Sequence, residues 1–150
     1  MSDSVDSGFE TPCDLRLLDN GKFALLGELI YHVGGLGMST FIRVPKGFVT
    51  DFASVPRILH PFLPKVGLHG KAAVVHDWLY YQCRLGRCRR VVADAIFLET
   101  MQELEIPTWK NRLLYYGVRL GGWASLKKKN PWAAMIDLET GQEIPPLKKN

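Results

Sequence analysis

Cysteine is scarce in this 150-residue chain: Cys13, Cys83 and Cys88 are the whole supply. An odd number without repeated spacing excludes a disulfide framework as the basis of the fold. Cys83 and Cys88 flank a predicted turn and could bridge under oxidation; in a cytoplasmic product they are free thiols. Long apolar runs are missing too. No stretch approaches about eighteen consecutive apolar residues, so no membrane-spanning helix is expected. The opening residues lack the charged-then-apolar pattern of a secretory signal, and synthesis and folding in a cytoplasm are the expectation. No internal repeat or low-complexity tract suggests a solenoid. There is no Gly-x-Ser-x-Gly elbow. Gly34-Gly35-Leu36-Gly37 is not followed by a convincing helix, so it is not a phosphate-cradling loop.

What is present is a core. Hydrophobic residues make up 47% of the chain, enough for one ordinary folded domain and too many for global disorder. The net charge of +4 is unevenly spread. Asp3, Asp6, Glu10, Asp14 and Asp19 face only Arg16 in the first twenty residues. Basic clusters come later, at Arg84, Arg87, Arg89 and Arg90 and at Lys127, Lys128, Lys129, Lys148 and Lys149. They read as solvated loops and a tail, with a phosphate-rich partner as the alternative.

The pattern along the chain predicts an α+β fold. Residues 1–12 are small and acidic and read as a loose arm. Short strand-like runs follow at Leu15–Leu18, Lys22–Leu26, Glu28–Val33, Thr40–Val44 and Phe48–Thr50. Asn20-Gly21 between apolar runs marks a hairpin. This half predicts an antiparallel β meander. A helical bundle follows, with an antiparallel helix hairpin. Ser54 caps a short helix with Pro56 in its first turn. Longer helices are predicted from about Gly70 to Arg84, from Arg90 to Leu104 and from Thr108 to Leu120, where Gly121-Gly122 stops the last. Ala133–Leu138 suggests a final strand. The domain spans 13–140, and 141–150 reads as a flexible basic tail. Strands first and helices after favour α+β over α/β.

The chemistry concentrates on the helix hairpin. Ala72, Ala73, His76, Leu79, Tyr80 and Cys83 recur at 3–4 spacing on one helix, and Asp94, Phe97, Leu98 and Met101 on the next. A carboxylate aimed into a core needs a partner. Counting outward from the turn at Leu85-Gly86-Arg87 places Asp94 within about one helical turn of His76–Tyr80. Such a carboxylate would fix the imidazole tautomer, and the imidazole could activate a water as general base. The same pair could equally be a hydrogen bond that only locks the hairpin. Asp77, adjacent to His76, could bind a hard cation or form a salt bridge. Asp51 and Arg57, in Thr50-Asp51-Phe52-Ala53-Ser54-Val55-Pro56-Arg57, could pair with each other, or Asp51 could reach the pocket of Asp77. His69 and His76 stand seven apart without a second His-rich motif, which makes zinc the weaker candidate.

Two resemblances follow from these residues. The segment Val44-Pro45-Lys46-Gly47-Phe48-Val49-Thr50-Asp51-Phe52-Ala53-Ser54-Val55-Pro56-Arg57 resembles the signature of a small phage and prophage family of unknown function. The likeness continues through Ala72–Tyr80 and Ala93–Met101 to about Gly122. It implies a phage gene, often among structural and tail-region genes, whose product is made in the host bacterial cytoplasm and incorporated in the virion. The second resemblance is to phospholipase A2, above all the compact domain of parvovirus capsids. His-Asp-x-x-Tyr on one helix and Ala-Asp-x-x-Phe on an antiparallel one are similar to its core. That likeness implies that His76 activates water, Asp94 orients it, Asp77 holds calcium and Tyr80 supports the pair. The Tyr-x-Gly-x-Gly calcium loop of those enzymes is missing, and Phe62–Gly70 or Asp51–Ser54 would have to replace it.

The expected function is a virion- or tail-associated protein with a phospholipase A2-like His–Asp site that hydrolyses phospholipid esters at the host envelope. The alternative is a non-enzymatic tail or baseplate structural or assembly protein, in which the pair is a structural lock. Expected partners are other phage structural proteins and a phospholipid membrane surface, without a specific nucleic acid.

Overall fold

The computed structural model describes residues 8–52, 55–62, 68–127 and 135–144. Antiparallel strands come first and helices after, a mixed α+β fold as the sequence pattern predicts. The strands are β1 (Leu15–Leu17), β2 (Phe23–Leu25), β3 (Leu29–His32), β4 (Phe41–Val44) and β5 (Val49–Thr50). β1 and β2 form the hairpin expected at Asn20-Gly21. Gly21 takes φ +78°, and Asn20 Oδ1 accepts a bond from the Lys22 amide. The run of strands is nevertheless split into two sheets. β2 takes β5 as its second neighbour, while β3 pairs with β4. Alternating polarity specifies which face of a strand is buried, not which strand lies beside it, so this division has no local signature.

A 3-10 segment, Arg57–Phe62, precedes three α-helices: α1 (Leu68–Arg84), α2 (Arg90–Glu103) and α3 (Thr108–Lys127). The N-cap expected at Ser54 lies outside the described residues. The α1–α2 turn ends in a Schellman motif. Gly86, at φ +75°, donates to Cys83 O, and Arg87 donates to Gln82 O. Only a residue that accepts a left-handed backbone closes this turn cheaply. α2 closes in the same way with Glu105 at φ +55°, where Ile106 donates to Met101 O and buries its side chain.

Helix α3 does not stop at Gly121-Gly122 but continues to Lys127. The glycines serve close approach instead of termination. A Cβ at Gly117 would collide with Leu59, and one at Gly121 would lie 2.8 Å from Pro56 Cγ. A Cβ at Gly122 would meet the Tyr80 ring, at 3.1 Å from Cε2. Bare backbone on this side seats the 3-10 segment and Tyr80 directly against α3.

The last strands, β6 (Met135–Ile136) and β7 (Glu143–Ile144), pair antiparallel. β6 falls within the expected strand at Ala133–Leu138, and β7 lies in the segment read as a tail. Gly47 ties them back: it donates to Leu25 O and accepts from the Ile136 amide. The main core gathers both sheets and all three helices, with Leu25, Tyr31, Phe52, Phe97, Met101 and Leu114 among its members. Glu99 joins the layers by accepting from the Tyr31 hydroxyl and the Gly34 amide, each at 2.7 Å.

Candidate functional site: a buried carboxylate with converging donors

Helix α1 is buried on nearly every side, and Ala72 through Asp77 are six consecutive buried residues. His76 and Asp94 expose no surface at all. The hairpin turn sets α1 beside α2 in the register that the spacing predicts, and His76 Nε2 lies 2.7 Å from Asp94 Oδ1. The Tyr80 hydroxyl, one turn further along α1, donates to the same oxygen at 2.7 Å. The His76 ring stacks on Phe97 at 4.5 Å and leans on Tyr80 at 4.2 Å. The imidazole is thus held between two aromatic rings.

The other oxygen, Oδ2, meets two arginines. Arg119, from α3, donates at 2.8 Å, and Arg90 Nε stands 3.6 Å away, one turn before Asp94 on α2. Arg90 spans three elements. It donates to the Tyr80 hydroxyl at 3.2 Å and to the backbone carbonyls of Val118 and Arg119. One carboxylate therefore joins α1, α2 and α3. Burial pushes its pKa up, but the bonds from His76 and Tyr80, the His76 charge and the Arg119 bond outweigh it. Asp94 is held below the ordinary carboxylate value. The reciprocal effects fall on its partners. Burial first, then the bond to the carboxylate, pushes the Tyr80 phenol up, and the Asp94 bond raises Arg119.

Asp77 points elsewhere. It is buried and accepts a short bond from the Thr50 hydroxyl, which itself accepts from the Phe52 amide at 3.2 Å. This draws the end of β5 and its following loop onto α1. Phe52 sits there at φ +58°, a backbone state that costs a bulky residue strain. His60 steadies the loop by bonding the carbonyls of Phe52 and Val55. Asp51 and Arg57 are exposed and stand outside the bonds described for Asp94. His76, Asp94 and Tyr80 are thus brought together, Asp77 lies one residue away with its own partner, and Asp51 and Arg57 remain on the surface.

The sequence pattern assigns no role here to Arg90, Arg119 or Thr50, which the structure brings to Asp94 and Asp77. Arg90 stands four residues before Asp94, a spacing that suits an ion pair on one helix, yet its place in a basic run suggests a solvated loop. Arg119 has no local signal, because only the packing of α3 brings it to Asp94.

Calcium at Asp77 requires several hard oxygens. Among the described residues no three His, Cys, Asp or Glu side chains converge on a possible metal position, and Asp77 Oδ2 is engaged by Thr50. The segments that would complete a calcium site, Phe62–Gly70 and Asp51–Ser54, lie in part outside the described residues. No helix among the described residues is long and apolar enough to cross a membrane.

These features define a small α+β domain organised round a buried His–Asp–Tyr–Arg network. The chain belongs to the family described as "Protein of unknown function (DUF1353)", whose model matches residues 23–118. No curated protein and no solved structure matches the chain.

Proposed function

We propose that the chain is a non-enzymatic structural or assembly protein of a phage tail or baseplate, in which the Asp94 network locks three helices together. Synthesis in the host cytoplasm and incorporation in the virion follow from this reading. The phage assignment rests on the Val44–Arg57 signature and its continuation into α1 and α2. The observation that favours a lock is saturation: Asp94 accepts from His76, Tyr80 and Arg119, with Arg90 beside it, and neither His76 nor Asp94 has exposed surface. A general base must reach the proton it removes.

A second reading is a phospholipase A2-like hydrolase. It is favoured by His-Asp-x-x-Tyr on α1, whose tyrosine and imidazole share one carboxylate oxygen. The His76 imidazole would then take a proton from water as the hydroxide attacks an ester carbonyl and return it to the departing alkoxide, and Asp94 would stabilise the imidazolium in between. Opening of the Phe97–Tyr80 sandwich would have to come first. With Asp77 bonded to Thr50, no step runs through calcium.

One experiment separates the two. Phospholipid hydrolysis is assayed with calcium and with chelator, beside His76→Asn. The lock predicts no fatty-acid release from either protein and a lower melting temperature for the variant. Release that disappears in a well-folded variant would overturn it. Mass spectrometry of purified particles tests the virion assignment.

A further inference from the structure

The α1–α2 turn carries two side chains that the Asp94 network does not use. Cys83 lies in the last turn of α1, and Cys88 stands just before α2. The Schellman bonds, from Gly86 to Cys83 O at 3.0 Å and from Arg87 to Gln82 O at 2.9 Å, fold the chain back on the end of α1. The residue after Arg87 therefore returns over Cys83, and the two thiols meet in a hydrogen bond. Both are free, half-buried and packed against the core, so solvent still reaches them. The third cysteine stands elsewhere. Cys13 feels the charge of Lys71, which lies about 18 Å before Cys83 along α1. That is well beyond the ~7 Å across which two cysteine Cα atoms can be bridged.

We propose that Cys83 and Cys88 form a reversible dithiol–disulfide site, oxidised by small acidic disulfides of the glutathione class, whose bridge staples α1 to α2. Charge agrees with such an oxidant. Arg84, Arg87, Arg89 and Arg90 crowd the turn, and Arg87 and Arg89, on either side of Cys88, are exposed. A disulfide that carries carboxylates is drawn to this surface.

The order of attack follows from burial. Burial, and after it the bond to Cys88, pushes the Cys83 thiol up to about 12, so Cys88 attacks first. Its thiolate bonds to one sulfur of the small disulfide, the S–S bond of that disulfide breaks, and one thiolate leaves. Cys88 then no longer holds the Cys83 proton through its own sulfur charge. Cys83 gives up that proton, attacks the Cys88 sulfur and releases the second thiolate. Two protein thiols are oxidised to one disulfide, and one small disulfide is reduced to two thiols, which take up the two protons. The site rests on no reading of the Asp94 network, although it adjoins it: Cys83 follows Tyr80 by one helical turn, and Arg90 follows Cys88 closely.

The test equilibrates the full chain with reduced and oxidised glutathione. Trypsin cuts after Arg84 and Arg87, between the two cysteines, so the bridge appears in mass spectrometry as two linked peptides that a reductant separates. The linked pair should persist in the folded protein at a glutathione ratio about tenfold or more reducing than the urea-unfolded chain tolerates, because a bridge that fits the native turn stabilises it by the same factor. Cys83→Ser should retain one glutathione at Cys88 as a mixed disulfide, whereas Cys88→Ser should take up glutathione at Cys83 far more slowly. Folded protein that stays reduced at a ratio that bridges the unfolded chain overturns the proposal. So does an equal preference in the folded and unfolded chains, a bridge that uses Cys13, or linkage only between two chains. Faster capture by Cys83 than by Cys88 overturns the order of attack.

Discussion

Asp94→Asn isolates the network, because it keeps the size of the side chain and removes only charge and one acceptor. In the wild type Oδ1 receives His76 and Tyr80 while Oδ2 receives Arg119. An amide has a single oxygen, so in either orientation its NH₂ confronts a donor. Arg119 and Arg90, whose side chains are 34% and 23% exposed, lose their counter-charge. Breaking a buried pair by removing one partner costs about 3–5 kcal/mol, a large share of the 5–15 kcal/mol that holds a typical domain together. Tyr80→Phe removes one bond to a charged acceptor and should cost about 1.5–3 kcal/mol. The assay is urea denaturation at pH 7, followed as a function of pH. Because Asp94 is held below its ordinary value, its stabilisation is fully present above about pH 4, the unfolded-state pKa, and is lost as pH falls through the folded-state value. The gap between wild type and Asp94→Asn should therefore be constant near neutrality and narrow in acid. A cost under about 1 kcal/mol, smaller than a single charged hydrogen bond, or a gap that widens in acid, would refute the lock.

Other outcomes can be stated from the same geometry. Gly122→Ala gains about 1 kcal/mol of helix propensity but overpacks Tyr80 at about 1–3 kcal/mol. It should destabilise on balance in urea denaturation, and less so in a Tyr80→Phe background. Glu105→Gly relieves a left-handed residue at the end of α2 and should stabilise by about 0.5–1 kcal/mol, read as a higher melting temperature. The Glu10 carboxylate and the Met38 carbonyl raise the pKa of His32. By NMR it should titrate above its usual value, and Glu10→Gln should lower that midpoint. The attachment of residues 8–10 to β3 should accordingly hold at low pH and weaken as pH rises through the His32 midpoint. Burial, and after it the neighbouring Cys88, pushes the Cys83 thiol up to about 12. Alkylation of Cys83 near pH 8 should therefore be slow until the protein unfolds.

The parts of this molecule that were legible in the sequence are those with local causes. Asn20-Gly21 and Gly86 mark their turns because the backbone there is left-handed. The 3–4 spacing around His76 and Asp94 identifies two buried helix faces, and the short turn between them sets their pairing, observed at 2.7 Å. The remainder depends on contacts between distant segments. Gly121-Gly122 looks like a helix stop until Pro56 and Tyr80 are seen against it. Arg119 looks solvated until α3 is docked. The β2–β5 pairing is written in no turn, because the intervening β3–β4 hairpin folds out into its own sheet.

Gly47 gives the chain a clock. Its carbonyl waits for the amide of Ile136, and the Phe48–Met135 bridge beside it joins the strand half of the chain to β6, with all three helices in between. The small cluster of Ala24, Val49 and Ile136 cannot close until β6 has been synthesised, after all three helices. At a translation rate of about 5–20 residues per second, the N-terminal sheet spends several seconds with that apolar flank open. Among the described residues, the strands that follow the helices are thus the ones that end its exposure.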